Sequence, residues 1–191
     1  MTDMTDPRRT NAARAGKALP TEAEWVFAAR GGLEGAVSAW GDEFSPDGRI
    51  LANTWQGAFP WQNLKGDACT SPVGTFAGNG HGLYDMAGNV WEWTSAFFTP
   101  RPPSEVAKAC CTPRNPRIDS AEWSFAAEQL GARIPRKVVK GRAYLCTPNY
   151  CLRYRPAARQ GETIDTSTWH IGSRCIVRKN AATTEDQREP R

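Results

Sequence analysis

The sequence predicts an irregular α+β fold, poor in regular secondary structure. Seventeen glycines and 14 prolines in 191 residues break the chain too often for long helices, while eight tryptophans supply the large anchors that a turn-rich core needs. One short segment carries a helix-start signature, and three others read as strands.

The helix comes first. Leu19-Pro20 precedes Thr21-Glu22-Ala23-Glu24, a Thr-x-x-Glu capping box that opens a helix through Arg30, and Gly31-Gly32 ends it. Ala23, Val26, Phe27 and Ala29 supply the apolar spacing of one buried face. Residues 1–17 are polar and basic and read as a disordered lead-in, residues 18–178 as the folded part, and residues 179–191 as a disordered polar tail. From 33 to 80 the chain is loop-like, with Trp40, Trp55 and Trp61 isolated among Gly, Pro, Asn and Asp; a bound cation is one way to organise such a backbone. Val90–Thr94 alternates like a strand, Lys137–Leu145 reads as a second, and Cys151–Tyr154 as its partner. Residues 98–136, rich in Pro and Arg and including Cys110-Cys111, read as a long excursion.

With 40% hydrophobic and 23% charged residues the chain suits one globular domain. Its net charge of +4 comes from scattered basic residues without a helix-turn-helix or zinc-finger pattern, so no nucleic-acid partner is expected. A solvated face or a peptide-docking groove accounts for the charge better. No apolar run reaches membrane-spanning length and Met1–Lys17 has no hydrophobic signal core, so the expectation is a soluble, cytoplasmic protein with no membrane partner. A monomer is expected as well. Six cysteines do not make a secreted disulfide scaffold, and their default state is the thiol.

Two constellations carry chemistry. In Cys146-Thr147-Pro148-Asn149-Tyr150-Cys151, Pro and Asn favour a turn that folds the two sulfurs towards each other. Such a pair could form a disulfide, share a soft cation such as Cu(I), or be two unrelated buried thiols. In Asp85-Met86-Ala87-Gly88-Asn89-Val90-Trp91-Glu92-Trp93, Asp85 and Glu92 are hard oxygen ligands, and Gly88 allows carbonyls to converge on a calcium ion. The alternative is a turn and a strand whose acids face water.

Taken in order, Leu19–Trp25, Tyr84–Trp93, Lys140-Gly141 with Tyr144–Cys151, Arg153–Arg159 and His170–Cys175 resemble the formylglycine-generating enzyme (sulfatase-modifying factor) family, bacterial type. The resemblance spans nearly all of residues 17–178 and implies that family's fold, a relative of C-type lectin domains. The first two motifs belong to a wider superfamily, and the cysteine pair followed by Arg153-Tyr154-Arg155 is the more specific signal. It implies oxidation of a cysteine to Cα-formylglycine in an unfolded sulfatase segment containing Cys-x-Pro-x-Arg, with O2 as co-substrate. Cys146 and Cys151 would bind Cu(I), and the substrate cysteine would complete the copper site. Hydrogen abstraction from the substrate Cβ would give a thioaldehyde that hydrolyses. Trp91 and Tyr150 would line that site. Calcium would be held by the Asp85 and Glu92 side chains with the Gly88 and Val90 carbonyls, and a second calcium by Asn53, Thr54 and Asp67, where Lys65–Thr70 looks shortened.

The pattern also departs from the family. The resemblance implies a domain whose N-terminal part this chain lacks. The family's Gly-Gly-Ser reads Gly141-Arg142-Ala143 here, and Arg142 fits only with negative φ and room for its side chain. Asn149 replaces a serine between the two cysteines. Ser173 stands where the family favours Phe, beside a turn at Ile171-Gly172; a buried Phe-to-small change would cost roughly 3–5 kcal/mol. Cys175 matches a position disulfide-bonded in some secreted relatives, but its partner position is Ala29, so a free thiol is expected. Two rival readings follow: a non-catalytic peptide-binding remnant of the same family, and an iron-dependent sulfoxide synthase. The second needs a histidine-rich site, which His81 and His170 in separate motifs cannot supply.

Overall fold

The computed structural model describes residues 6–64, 69–99, 120–126, 133–147 and 155–178. Among the described residues, two short α-helices flank a four-stranded sheet, and long loops make up most of the rest. Helix α1 spans Pro7–Arg14 and helix α2 Glu22–Arg30; the strands are β1 (Trp91–Phe97), β2 (Arg136–Lys140), β3 (Gln160–Thr163) and β4 (Ile171–Ser173). The sheet runs β3-β2-β1-β4. Strands β1 and β2 pair antiparallel with Glu92 opposite Lys140, β2 and β3 pair antiparallel, and β4 lies parallel to β1.

Helix α2 forms as its capping box requires. Thr21 Oγ1 accepts from the Glu24 amide at 3.2 Å, the Glu24 carboxylate accepts from the Thr21 amide at 2.7 Å, and Gly31 closes the helix in the left-handed region. The buried face differs from the expected one. Trp25 and Ala29 point inward, whereas Ala23 is exposed and Phe27 is 72% exposed with its ring against His81. Trp25, the largest apolar side chain in the helix, sets the helix's rotation, since burying its area outweighs burying Phe27 instead.

The lead-in expected to be disordered is helical over residues 7–14. Asp6 caps α1, its Oδ1 accepting from the Arg8 amide at 3.0 Å, and Pro7 occupies the first turn. Asp6 and Lys137 on β2 form an ion pair at 3.0 Å with both side chains buried. Arg8 lies over the Trp93 ring at 3.9 Å and donates to the Ile164 carbonyl at 2.8 Å. Helix α1 is therefore fastened to the sheet by its side chains despite its polar composition.

Strand β1 is buried along most of its length rather than alternating, because both its faces are covered: Leu19 and Arg8 lie against Trp93 on one, and Trp25 of α2 meets Glu92 on the other. Strand β2 ends at Lys140, earlier than the predicted Leu145, where Gly141 turns the chain at φ 83°. Among the described residues β2 pairs with β1 and β3; the expected partner, Cys151–Tyr154, lies outside them. The excursion with Cys110 and Cys111 (except residues 98–99, 120–126 and 133–136) and the tail from residue 179 also lie outside. Ile171-Gly172 is part of β4 rather than a turn, and Ser173 is exposed, so the predicted cost of replacing a buried Phe does not arise.

Leu19, Trp91, Trp93, Val139 and Ala143 pack as one core cluster with Ile171 against it. Trp25, Ala29 and Met86 form a second, with Val26, Ala28 and Leu83. Among the described residues no helix is long and apolar enough to cross a membrane.

Candidate active site

Residues 141–147 follow β2 and carry the first cysteine of the motif. Hydrogen bonds stitch this loop to its surroundings: Gly88 N donates to Gly141 O at 2.8 Å, Tyr144 N to Asn89 O at 3.0 Å, and Trp55 N to Cys146 O at 2.9 Å. Gly141 has to be glycine, since a Cβ there would lie 3.0 Å from Trp25 Cζ2 and the backbone is left-handed. Cys146 is a free, buried thiol, and Trp91 is buried in the cluster that includes Ala143 of the same loop. Cys151 and Tyr150 lie outside the described residues, so Cys146 and Trp91 are the predicted site residues that can be placed here.

Arg142 departs from the expectation that it needs a negative φ. It sits at φ 70° with its side chain buried. A non-glycine residue in this region carries strain of roughly 1–3 kcal/mol. The strain is held one residue before Ala143 and four before the thiol.

The segment Asp85–Val90 is organised by Asn89, which sequence reasoning quoted but gave no role. Its Nδ2 donates to Ser71 O at 3.1 Å, and its Oδ1 accepts from Ser71 N at 2.9 Å and from Asn53 Nδ2 at 3.3 Å. Its backbone N–H donates to Asn53 O at 2.8 Å while its carbonyl holds Tyr144. One residue, through its side chain and its backbone together, thus ties together four loops, among them the thiol loop. Gly88 precedes it at φ 78°, where a Cβ would lie 2.4 Å from Asn53 O. The Gly-Asn pair in the motif signals a local turn but not the bonds to Asn53 and Ser71.

The first proposed calcium set combines two carboxylates and two carbonyls, which is the donor chemistry calcium takes. In this structure Glu92 is engaged otherwise. Its Oε2 accepts from Trp25 Nε1 at 2.8 Å and Arg174 Nε at 3.1 Å, and its Oε1 accepts from Arg174 Nη2 at 3.0 Å. Arg174 also donates to the Tyr84 carbonyl at 2.8 Å. Asp85, at φ 55°, accepts the Gly74 amide at 2.8 Å. A cation at Glu92 would share it with a guanidinium. Of the second set, Asn53 and Thr54 are buried, Asn53 Nδ2 donates to Cys69 O at 3.0 Å and the Thr54 oxygens accept from Gln56, while Asp67 lies outside the described residues. Among the described residues no three His, Cys, Asp or Glu side chains converge as metal ligands. Cys69 and Cys175 are free and exposed, as expected for Cys175.

A small irregular sheet bearing a buried thiol on a loop stitched to a Gly-Asn turn defines a class of α+β proteins rather than one member. The model for the Sulfatase-modifying factor enzyme 1-like domain matches residues 9–179, and the chain belongs to that family. It is similar to the formylglycine-generating enzyme of Mycobacterium tuberculosis (strain ATCC 25618 / H37Rv), 49% identical over 169 residues covering 85% of this chain and 52% of that protein. The Streptomyces coelicolor enzyme of the same name is 45% identical, covering 84% of this chain and 46% of that protein. A Bos taurus relative named inactive C-alpha-formylglycine-generating enzyme 2 is 35% identical, covering 87% of this chain and 46% of that protein. The chain thus spans about half the length of the curated relatives it matches. Among solved structures, PvdO from Pseudomonas aeruginosa superposes with a TM-score of 0.54 at 23% identity, covering 87% of this chain and 57% of that one. CarF gives 0.52 at 23% identity, covering 83% and 46%. These two matches speak for the fold alone.

Proposed function

We propose that this chain carries the thiol-bearing part of a formylglycine-generating oxidase acting on a cysteine in an unfolded sulfatase segment. The observation that carries the reading is Cys146, a buried free thiol on a fixed loop, in a chain 49% identical to a protein of that name. A buried thiolate is a soft donor and suits Cu(I), so the one described ligand fits the metal. Copper held by Cys146 and Cys151 would supply O2 activation. The protein's own contributions are those of a scaffold. The three hydrogen bonds to the 141–147 loop fix where the Cys146 sulfur sits, and the packed Trp91 and Ala143 keep bulk water from that side of the loop.

Mass spectrometry of a Cys-x-Pro-x-Arg peptide incubated with the purified chain, Cu(I), a thiol reductant and air tests the reading. The expected product is the peptide aldehyde. Absence of conversion beside an active full-length relative would overturn it for this chain. The rival, a peptide-binding remnant without turnover, is favoured by one observation, the buried, strained Arg142 beside the thiol loop. Changing Arg142→Gly together with Ala143→Ser separates the two: gained turnover assigns the defect to the loop.

Calcium at the Asp85, Gly88, Val90 and Glu92 oxygens belongs to the same proposal. Because Glu92 already neutralises Arg174, binding should fall in the weak class, with Kd on the order of 10⁻⁴–10⁻³ M. Terbium luminescence sensitised by the nearby tryptophans, competed with calcium, measures it. A sub-micromolar Kd would mean that Glu92 abandons Arg174 when the ion binds.

A further inference from the structure

The end of β2 from which the thiol loop departs is surrounded by more positive than negative charge. Lys140 has a side chain only 1% exposed, and its nearest carboxylate oxygen, Glu22 Oε1, is 3.6 Å away, beyond hydrogen-bonding reach. Arg159 Nη2 donates to the other oxygen of the same Glu22 at 2.9 Å, and its Nη1 donates to the Thr99 carbonyl at 3.0 Å. The Arg159 Nε is buried and makes no hydrogen bond, and neither does Lys140 Nζ.

The sheet register explains the crowding. Val139 lies opposite Gln160, so one step further along the antiparallel pair sets Arg159 beside Lys140. Among the described residues, the surrounding groups add no unpaired negative charge beyond Glu22. On α2, Arg30 adds a further positive field at Lys140, and Glu24 is paired with Arg178 at 2.6 Å. On β1, Glu92 is paired with Arg174. The Trp25 ring, 5.5 Å from Lys140 Nζ, and the Phe98 ring, 5.1 Å from the Arg159 guanidinium, form apolar walls. Two cations therefore share one carboxylate, each with a buried donor unused, and an unused buried donor on a cation is costly.

We infer that Lys140 Nζ and Arg159 Nε form a binding site for a small monovalent inorganic anion, of the charge and size of chloride. The ion takes the two unused donors and offsets the surplus charge that Glu22 alone leaves. Entry is from the half-exposed Glu22 and Arg159 side, while Lys140 closes the floor. Burial lowers the Lys140 pKa to about 8 despite Glu22, which is the direction expected of an ammonium short of counter-charge. A bound anion would also brace the residue that precedes Gly141, and through it the start of the thiol loop. The inference rests on this charge arrangement and is independent of the oxidase reading.

Thermal unfolding of the chain in sodium chloride and in sodium gluconate at matched ionic strength, with bromide anomalous diffraction from its crystals, tests it. A ligand bound only by the native state raises Tm with concentration. The expected results are a steeper rise of Tm in chloride than in gluconate, and a bromide peak between Lys140 and Arg159. Lys140→Met should abolish the chloride-specific rise. Glu22→Gln, which removes the competing negative charge, should tighten halide binding on the order of tenfold. Equal slopes in the two salts, or a Lys140→Met chain that keeps the chloride rise, would overturn the inference. If that variant fails to fold, the unaltered chain decides alone: a bromide map empty at this site sinks the idea.

Discussion

Asp6→Ala is expected to destabilise the chain by roughly 3–5 kcal/mol, the cost of removing one half of a buried ion pair. Asp6 and Lys137 pair at 3.0 Å with side chains 0% and 1% exposed, and the Lys137 ammonium lies 5.3 Å from the Phe97 ring. Removing the carboxylate takes away the counter-charge that holds that ammonium at 3.0 Å in a buried position. A further ~1 kcal/mol comes from losing the α1 cap. Against a net stability of about 5–15 kcal/mol for a domain, the loss is large enough to unfold a substantial fraction of molecules at 37 °C. Urea denaturation followed by tryptophan fluorescence measures it. The double variant Asp6→Asn with Lys137→Met should recover most of the loss, because Asn still caps a helix and Met fills the lysine's volume without a charge. If Asp6→Ala costs less than about 1 kcal/mol, helix α1 is not held on the sheet as described.

This ion pair shows where the sequence could be read and where it could not. Asp6-Pro7 is a helix-start signal, a capping acid followed by proline at the first turn. The polar, basic composition of residues 1–17 nevertheless reads as disorder when no partner is known. The partner, Lys137, is over a hundred residues away, and no local pattern connects the two. Helix α2 was legible because capping is local, but its buried face was not, because Trp25 and Phe27 compete for the core and only the packing decides. At the candidate site, Cys146 and Trp91 are named through the family resemblance, and both are buried in the structure. The roles of Asn89, Trp25 and Arg174 could not be read in the sequence, since they are bonds to distant segments: Asn89 to Ser71, Trp25 and Arg174 to Glu92. The same long-range pairing explains why Glu92, read as a calcium ligand, stands in the structure as one half of an ion pair.

Cys146→Ser is expected to abolish both equimolar Cu(I) binding and peptide oxidation while leaving the fold intact. The substitution exchanges a soft sulfur donor for a hard hydroxyl of similar size, and Cu(I) discriminates strongly between them. The loop should keep its course, because its hydrogen bonds from Gly88, Tyr144 and Trp55 are made by backbone atoms that the change does not touch. Competition against a chromophoric Cu(I) chelator reads metal binding, and the peptide assay reads turnover. Unfolding curves and tryptophan fluorescence should match those of the unaltered chain within about 1 kcal/mol, as for other small changes at a buried site. The separate readouts carry the argument. Loss of copper binding and turnover together, with the fold kept, supports the thiolate mechanism. Copper binding retained at equal affinity would place the metal elsewhere, and turnover retained without Cys146 would remove this thiol from the reaction altogether.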